Sequence, residues 1–322
     1  MRVLKGLALL VSIVAALSAG RADAQTFTYK SLGFLQPSAI NSSGATAGSF
    51  CCAYIPGLDG PQGTFHAFSL KGPTFKISEP NGVASSFATA IRFNGDVVGG
   101  YCSAQSGGCS PGSAMHGYLF TASDNSTQSI DVPGALATVT SGINKAGQIV
   151  GSYCDATTCE IYDGGGNGFL LDKIGGTFTT IDVPAAVHTA AAAINDAGVI
   201  VGNYTACKTQ PEIPSTQRAP CVLQVLHGFQ LSGATYTTID PPGSIATNVG
   251  GINNSGEVVG SYGEIVSNHT QTHGFVFNAG VYTIVDFPGA TETVVNGVND
   301  QGQIVGYAHV GNAFEGFIGT PH

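Results

Sequence analysis

The sequence contains no tryptophan and only two methionines, and charged side chains make up just 10% of it. Charge this sparse excludes long solvated helices and coiled coils, which need acids and bases interleaved along a face. Lys and Arg number 11 against 20 Asp and Glu, no basic cluster occurs, and the formal net charge is −9. A surface of that sign repels phosphate backbones, so no nucleic acid partner is expected. Beyond the N-terminal residues no apolar run approaches the roughly 20 residues a membrane helix needs, which leaves no transmembrane segment after the leader. No Cys-x-x-Cys, His-Glu-x-x-His or Walker loop occurs, so the motifs that would announce a zinc, metalloprotease or nucleotide site are missing. The Gly-rich run Asp163-Gly164-Gly165-Gly166-Asn167-Gly168 lacks the strand-then-helix setting of a dinucleotide site.

What is present begins with a leader. Arg2 and Lys5 precede an apolar run from Leu7 to Leu17 and a small-residue exit at Ala22-Asp23-Ala24, the layout of a secretory signal peptide. Residues 1–24 are therefore expected to be removed, leaving residues 25–322 as a single domain secreted to an extracellular or periplasmic location. The leader holds three basic residues and one acid, so the exported part is more acidic still. All eight cysteines lie in that part. Cys102 and Cys109, Cys154 and Cys159, and Cys207 and Cys221 each sit close together in one segment between strands. In an oxidising compartment these are expected to close as local disulfides, each contributing about 2–3 kcal/mol on a loop-entropy argument. The adjacent Cys51 and Cys52 are left open between a vicinal bond, free thiols and pairing elsewhere.

The exported part repeats itself six times. A segment of the type Ile-Asn-x-x-Gly-x-Ile-Val-Gly-x-Tyr starts at Ile40, Ile91, Ile143, Ile194, Ile252 and Val298, so successive starts lie 46 to 58 residues apart. This is the period of a propeller blade and too long for leucine-rich or ankyrin repeats. Within residues 192–243 four short pieces rich in β-branched and aromatic residues alternate with Gly, Pro and Asn, which predicts four strands per repeat and no helix. The spacing Asn41 to Gly44, repeated at Asn144, Asn195, Asn253 and Asn299, predicts a type I turn with Gly relieving a positive φ. In the second copy Arg92 takes the Asn place, and Asn94-Gly95 is expected to make the turn instead. Residues 26–33 align with a fourth strand, and the last copy stops after its third. A spare strand at one end and a missing one at the other predicts a closed ring, since closure removes exposed sheet edges. The expected fold is all-β, a six-bladed β-propeller closed by an N-terminal strand pairing with the last blade.

The segments His66-Ala67-Phe68 and His116-Gly117-Tyr118, together with Ala-Ile-Asn-x-x-Gly-x-Val-Val-Gly, resemble the HAF-repeat proteins of bacterial secretomes. Asn167 and Glu315 replace the His in two copies. The resemblance covers nearly the whole exported chain and implies a propeller-like exported protein without an assigned activity.

Two recurrent sets invite chemistry. His66, His116, His227 and His273 occupy equivalent third-strand places, where divergence around a ring keeps them from sharing one metal ion; they are expected to pack between repeats and bond a neighbouring loop. Asp131, Asp182, Asp240 and Asp286, with Glu79 in the remaining copy, precede prolines and are expected to bond the amides of the following Pro-Gly connection. No cofactor is expected, with a bound calcium ion between repeats as the lesser alternative. Phe50, Tyr101, Tyr153, Tyr204, Tyr262 and Tyr307 end the second strands and are expected in the core, or as sugar-stacking shelves.

Length varies most between second and third strands, and the cysteines concentrate there. Loops 102–115, 154–166 and 205–226 on one rim of a rigid ring are thus the candidate binding surface. The leading expectation is a monomeric, non-enzymatic protein that binds a glycan, peptide or cell-surface partner through that rim. No irregular acid or base is expected near the axis, which weighs against the alternative, a polysaccharide lyase or hydrolase at the axial channel mouth. A structural envelope or matrix protein is the third reading. The fold by itself does not separate them.

Overall fold

The computed structural model describes residues 26–51, 64–102, 115–155, 166–207 and 224–322. The leader, Cys52, Cys109, Cys159, Cys221 and most of the three rim loops lie outside the described residues. These contain 24 strands and no helix, and thus none long and apolar enough to cross a membrane.

The strands form four sheets of four and one of eight. In the repeat Ala137–Ile143, Ile149–Cys154, Asn167–Leu171 and Phe178–Ile181, each strand pairs antiparallel with the next in chain order. The eight-stranded sheet consists of two such runs joined by a single parallel pairing, Thr272 with Glu292. Its far edge is Phe27–Gly33, which pairs antiparallel with Ala313–Pro321 from Phe27↔Pro321 to Gly33↔Gly316. The N-terminal strand therefore completes the C-terminal sheet, and these blade-like sheets share a channel lined by every first strand. That is the architecture of a β-propeller.

The repeated letters follow from packing. The aromatic of each His-Gly-Phe segment (Phe68, Tyr118, Phe169, Phe229, Phe275, Phe317) has at most 1% of its surface exposed, and burial of such a side chain contributes about 2–3 kcal/mol. The Ile-Val pairs of the second strands (Ile149-Val150, Ile200-Val201, Val258-Val259, Ile304-Val305) are buried as well, with at most 3% of their surface exposed. Every first strand carries a register irregularity near its end, at Thr140/Gly142 and Ala191/Ala193 for example. There a carbonyl presses on the second strand so closely that a Cβ on Gly151 would stand 2.0 Å from Val139 O, and one on Gly202 2.1 Å from Ala190 O. The Gly of Val-Val-Gly is thus a steric requirement. Neighbouring sheets are stapled by side chains. The Thr140 hydroxyl donates to Gly99 O at 2.6 Å and accepts from Gly99 N at 3.0 Å, and Asn203 bonds both backbone groups of Val249.

Candidate functional site

Up-and-down strands give the molecule two distinct faces. One carries the Asn-x-x-Gly turns and the turns between third and fourth strands. The other carries the inserts between second and third strands and the connections between repeats. The candidate rim and the asparagine turns therefore lie on opposite faces.

Each asparagine has a double role. Asn195 Oδ1 accepts from Ala197 N and Val199 N at 3.1 and 3.0 Å, and Gly198, at φ +77°, closes the turn by donating to Asn195 O. Its amide donates outward to the next repeat, to Asn253 O at 3.2 Å. The same bond runs from Asn41 to Arg92 O, Asn144 to Asn195 O, Asn253 to Asn299 O and Asn299 to Asn41 O. Turn preference accounts only for the local half; the outward half makes a belt that passes through the first and last repeats. Arg92 is the interruption, having no amide to hand on to Asn144. The turn in this copy keeps the common frame, with Gly95 N donating to Arg92 O. Asn94 sits at its third position, bonded to Asp96, so the expected shift onto Asn94-Gly95 does not occur.

The belt surrounds a cavity of about 670 Å³, lined by three or four residues of every repeat. A narrower space of about 100 Å³ continues beneath it between first strands, among Ala39, Ala90, Gly142, Ala193, Gly251 and Gly297. Because the belt asparagines spend their polar atoms on backbone and on side chains of their own turns, such as Gln148, Glu257 and Gln303, the free chemistry at the mouth belongs to the residues that follow them: Ser42, Phe93, Lys145, Asp196, Asn254 and Asp300. This arc is polarised. Asn254 donates its amide to both Asp196 Oδ2 and Asp300 Oδ2, at 3.1 and 3.0 Å, and Ser42 donates to Asp300 Oδ2 at 2.7 Å. Partial burial opposes ionisation of Asp300, but the Asn254 backbone N–H, the Ser42 hydroxyl and the Asn254 amide outweigh it and hold the carboxyl below its ordinary 3.8. On the other side stand Lys145, the Arg92 guanidinium 3.8 Å from Asp96, and Phe93 with 74% of its surface exposed. The expectation that nothing irregular breaks the repeat near the axis is thereby corrected. Asp196, Asp300 and Lys145 are irregular and charged; they occupy a turn position whose convergence becomes visible only once the ring is closed.

The recurrent histidines and acids, read separately in the sequence, meet each other. His66 Nδ1 lies 3.1 Å from Glu79, His116 3.0 Å from Asp131, His227 2.6 Å from Asp240 and His273 2.9 Å from Asp286. Each acid stands just past the fourth strand, in the connection to the next repeat, so the histidines bond a neighbouring loop as expected, whereas the expected bond from the acids to the Pro-Gly amides is replaced by these pairs. The amide after the acid goes elsewhere, as Val132 N to Thr138 Oγ1 and Phe287 N to Thr293 Oγ1 on the next first strand. Where Asn167 replaces His, Asp182 accepts from Thr189 at 3.1 Å. The second-strand aromatics lie over the imidazoles: Tyr101 on His116 and Tyr204 on His227, both at 5.2 Å between ring centroids. Their hydroxyls meet outer-strand Ser129 and Thr238. This arrangement ties strands together blade by blade. Among the described residues no group of three or more His, Cys, Asp or Glu could hold a metal ion.

On the opposite face Cys102, Cys154 and Cys207 each end a second strand where an insert begins; their expected partners lie outside the described residues. The segment Gly108-Cys109-Ser110-Pro111-Gly112 spells Gly-x-Ser-x-Gly and lies outside the described residues.

No protein-family model matches the chain, and no curated protein does. Among solved structures, the chain is similar to the β-propeller domain of the Trilobed protease from Pyrococcus furiosus, at 8% identity and a TM-score of 0.48, covering 93% of this chain and 84% of that one. It is also similar to TolB from Acinetobacter baumannii, at 10% identity and 0.46, covering 85% and 63%. A third is Trypanosoma rangeli sialidase, at 10% identity and 0.43, covering 92% and 55%. Likeness at this level concerns the fold and carries nothing about activity.

Proposed function

We propose that this chain is an exported, non-enzymatic, monomeric six-bladed propeller that binds its ligand in the axial cavity on the asparagine face. The observation that carries the reading is the cavity itself. Its volume of about 670 Å³ falls in the range of small-molecule sites, and a hydrogen-bonded belt interrupted at Arg92 frames its wall while irregular groups stand at its mouth. The count of six rests on the six sequence copies, with the two halves of the eight-stranded sheet counted as separate blades. Export rests on the leader at residues 1–24.

The hydrolase alternative needs a carboxyl kept protonated near neutral pH to act as general acid. Asp300 is displaced the other way, which suits it to hold a cationic group and not to serve as that acid. The rim loops 102–115, 154–166 and 205–226 remain a second proposed surface, for a glycan, peptide or cell-surface partner, supported by their length variation and by the local pairs Cys102–Cys109, Cys154–Cys159 and Cys207–Cys221. A calcium ion or a matrix role has no specific observation in its favour.

Glycan and peptide arrays probed with residues 25–322 test both surfaces. A Phe93→Ala variant and a variant with the Cys207–Cys221 insert shortened are compared with the parent. Loss of signal with Phe93→Ala alone supports the axial site, and loss with the shortened insert alone moves function to the rim. Turnover of polysaccharide by the parent would overturn the non-enzymatic reading.

A further inference from the structure

Resting on the axial site proposed above, we infer that its ligand is a small zwitterion of the amino-acid or short-peptide class, its ammonium held by Asp196 and Asp300 and its carboxylate by Lys145. Three observations lead there. First, the charges are unspent: Asp196 and Asp300 accept only from neutral donors, namely Lys145 N, Ser42 and Asn254. Among the described residues neither carboxylate nor the Lys145 ammonium takes part in any of the ion pairs. A net charge left unpaired at the edge of a cavity attracts a counter-charge, and at Asp300 the surrounding hydrogen bonds favour the ionised form.

Second, the signs are unevenly placed around the mouth. The repeats follow in the order Asn41, Arg92, Asn144, Asn195, Asn253, Asn299 and back to Asn41, so Asp300 stands three repeats from Lys145, on the opposite side of the mouth, while Asp196 stands in the repeat next to Lys145 and accepts from its backbone N–H. A ligand with one charge would meet repulsion on one side, whereas one carrying both signs satisfies both. Third, Phe93 stands 74% exposed beside Lys145, at a place where every other repeat has a small or polar residue. An aromatic face there covers the apolar part of a ligand lying between the two charges.

Calorimetric titration of residues 25–322 with the tripeptide Ala-Phe-Ala tests the inference. The tripeptide is used with both ends free, N-acetylated, or C-amidated, and a neutral oligosaccharide is titrated in parallel. The free form is expected to bind, and each capped form to bind at least about tenfold more weakly, since each cap deletes one charge. Asp196→Asn should reproduce the effect of acetylation and be blind to it, and Lys145→Gln should do the same for amidation. Equal affinity of the free and capped forms overturns the inference. Binding of the oligosaccharide in a Phe93-dependent way, with no peptide bound, overturns the ligand class while leaving the axial site standing. No binding by any probe removes both.

Discussion

Replacing Asn195 by Ala would test whether the belt holds the blades together or merely shapes each turn. Asn195 is 6% exposed and makes three bonds: two to amides of its own turn and one to Asn253 O in the next repeat. Ala197 is exposed, so water takes over its amide at little cost. Val199 N is partly buried and Asn253 O lies in a buried bond, and stranding a buried polar group costs about 1–3 kcal/mol. Because Asn253 O also accepts from Gly256 N, the lower end applies to it, and the expected total is about 2–4 kcal/mol. Asn94→Ala is the control. It belongs to the copy that skips the belt and bonds only Asp96, so its cost should stay below about 1 kcal/mol. Asn195→Asp separates the two roles further: it keeps the turn acceptor but turns the outward donor into an acceptor facing a carbonyl, and should cost at least as much as Ala. Urea unfolding monitored by the fluorescence of the 11 tyrosines, in a chain without tryptophan, gives the midpoints, and unchanged slopes keep the comparison to stability. If Asn195→Ala and Asn94→Ala shift the midpoint equally, or if Asn195→Asp is tolerated, the belt is not an inter-blade device.

Gly202→Ala should cost several kcal/mol or prevent folding, because the new Cβ meets Ala190 O, whereas Gly263→Ala, whose nearest neighbour is an Ile245 side-chain atom at 3.4 Å, should be nearly silent; soluble yield and melting temperature decide. Asp300 is held below 3.8 in the folded protein, so the stability from its ionised form is present above that value and lost as pH falls through the folded-state pKa. Asp300→Asn should therefore be less stable than the parent at neutral pH and approach it in acid, and parallel curves at all pH values would contradict this. His227→Asn should be well tolerated, since Asn167 serves in the third copy, while Asp240→Ala should cost more by leaving His227 unpaired; a reversed order in thermal melts would refute the pairing account. Mass mapping of unreduced peptides should recover the three local disulfide pairs, and long-range links would refute them.

Much of this architecture is legible in the sequence because the repeat reports it six times over. Strand number per repeat, the Asn-x-x-Gly turn and the spare strand at 26–33 all rest on local patterns, and the structure places each where the pattern indicates. The site is less legible, for a physical reason. Lys145, Asp196 and Asp300 lie dozens of residues apart and occupy an ordinary turn position; only circular arrangement brings them to the rim of one cavity. The His–acid pairs were within reach, since thirteen or so residues separate the partners, His227 and Asp240 for example. Each set recurs on its own period, so the recurrence alone does not link one set to the other. Side-chain donors such as the Asn195 amide are hidden for a similar reason: turn preference explains the residue fully, so nothing in the letters asks for a second bond.

The pairing of Phe27–Gly33 with Ala313–Pro321 sets synthesis and assembly in opposite order. Residues 27–33 are made early, yet their partner strand exists only after nearly three hundred further residues have been joined. Until then the nascent molecule carries an unclosed seam and two raw strand edges, the kind of surface that recruits other chains. Completion is consequently a single late event on which the whole disc depends, and a chain interrupted anywhere before residue 313 is left without its latch.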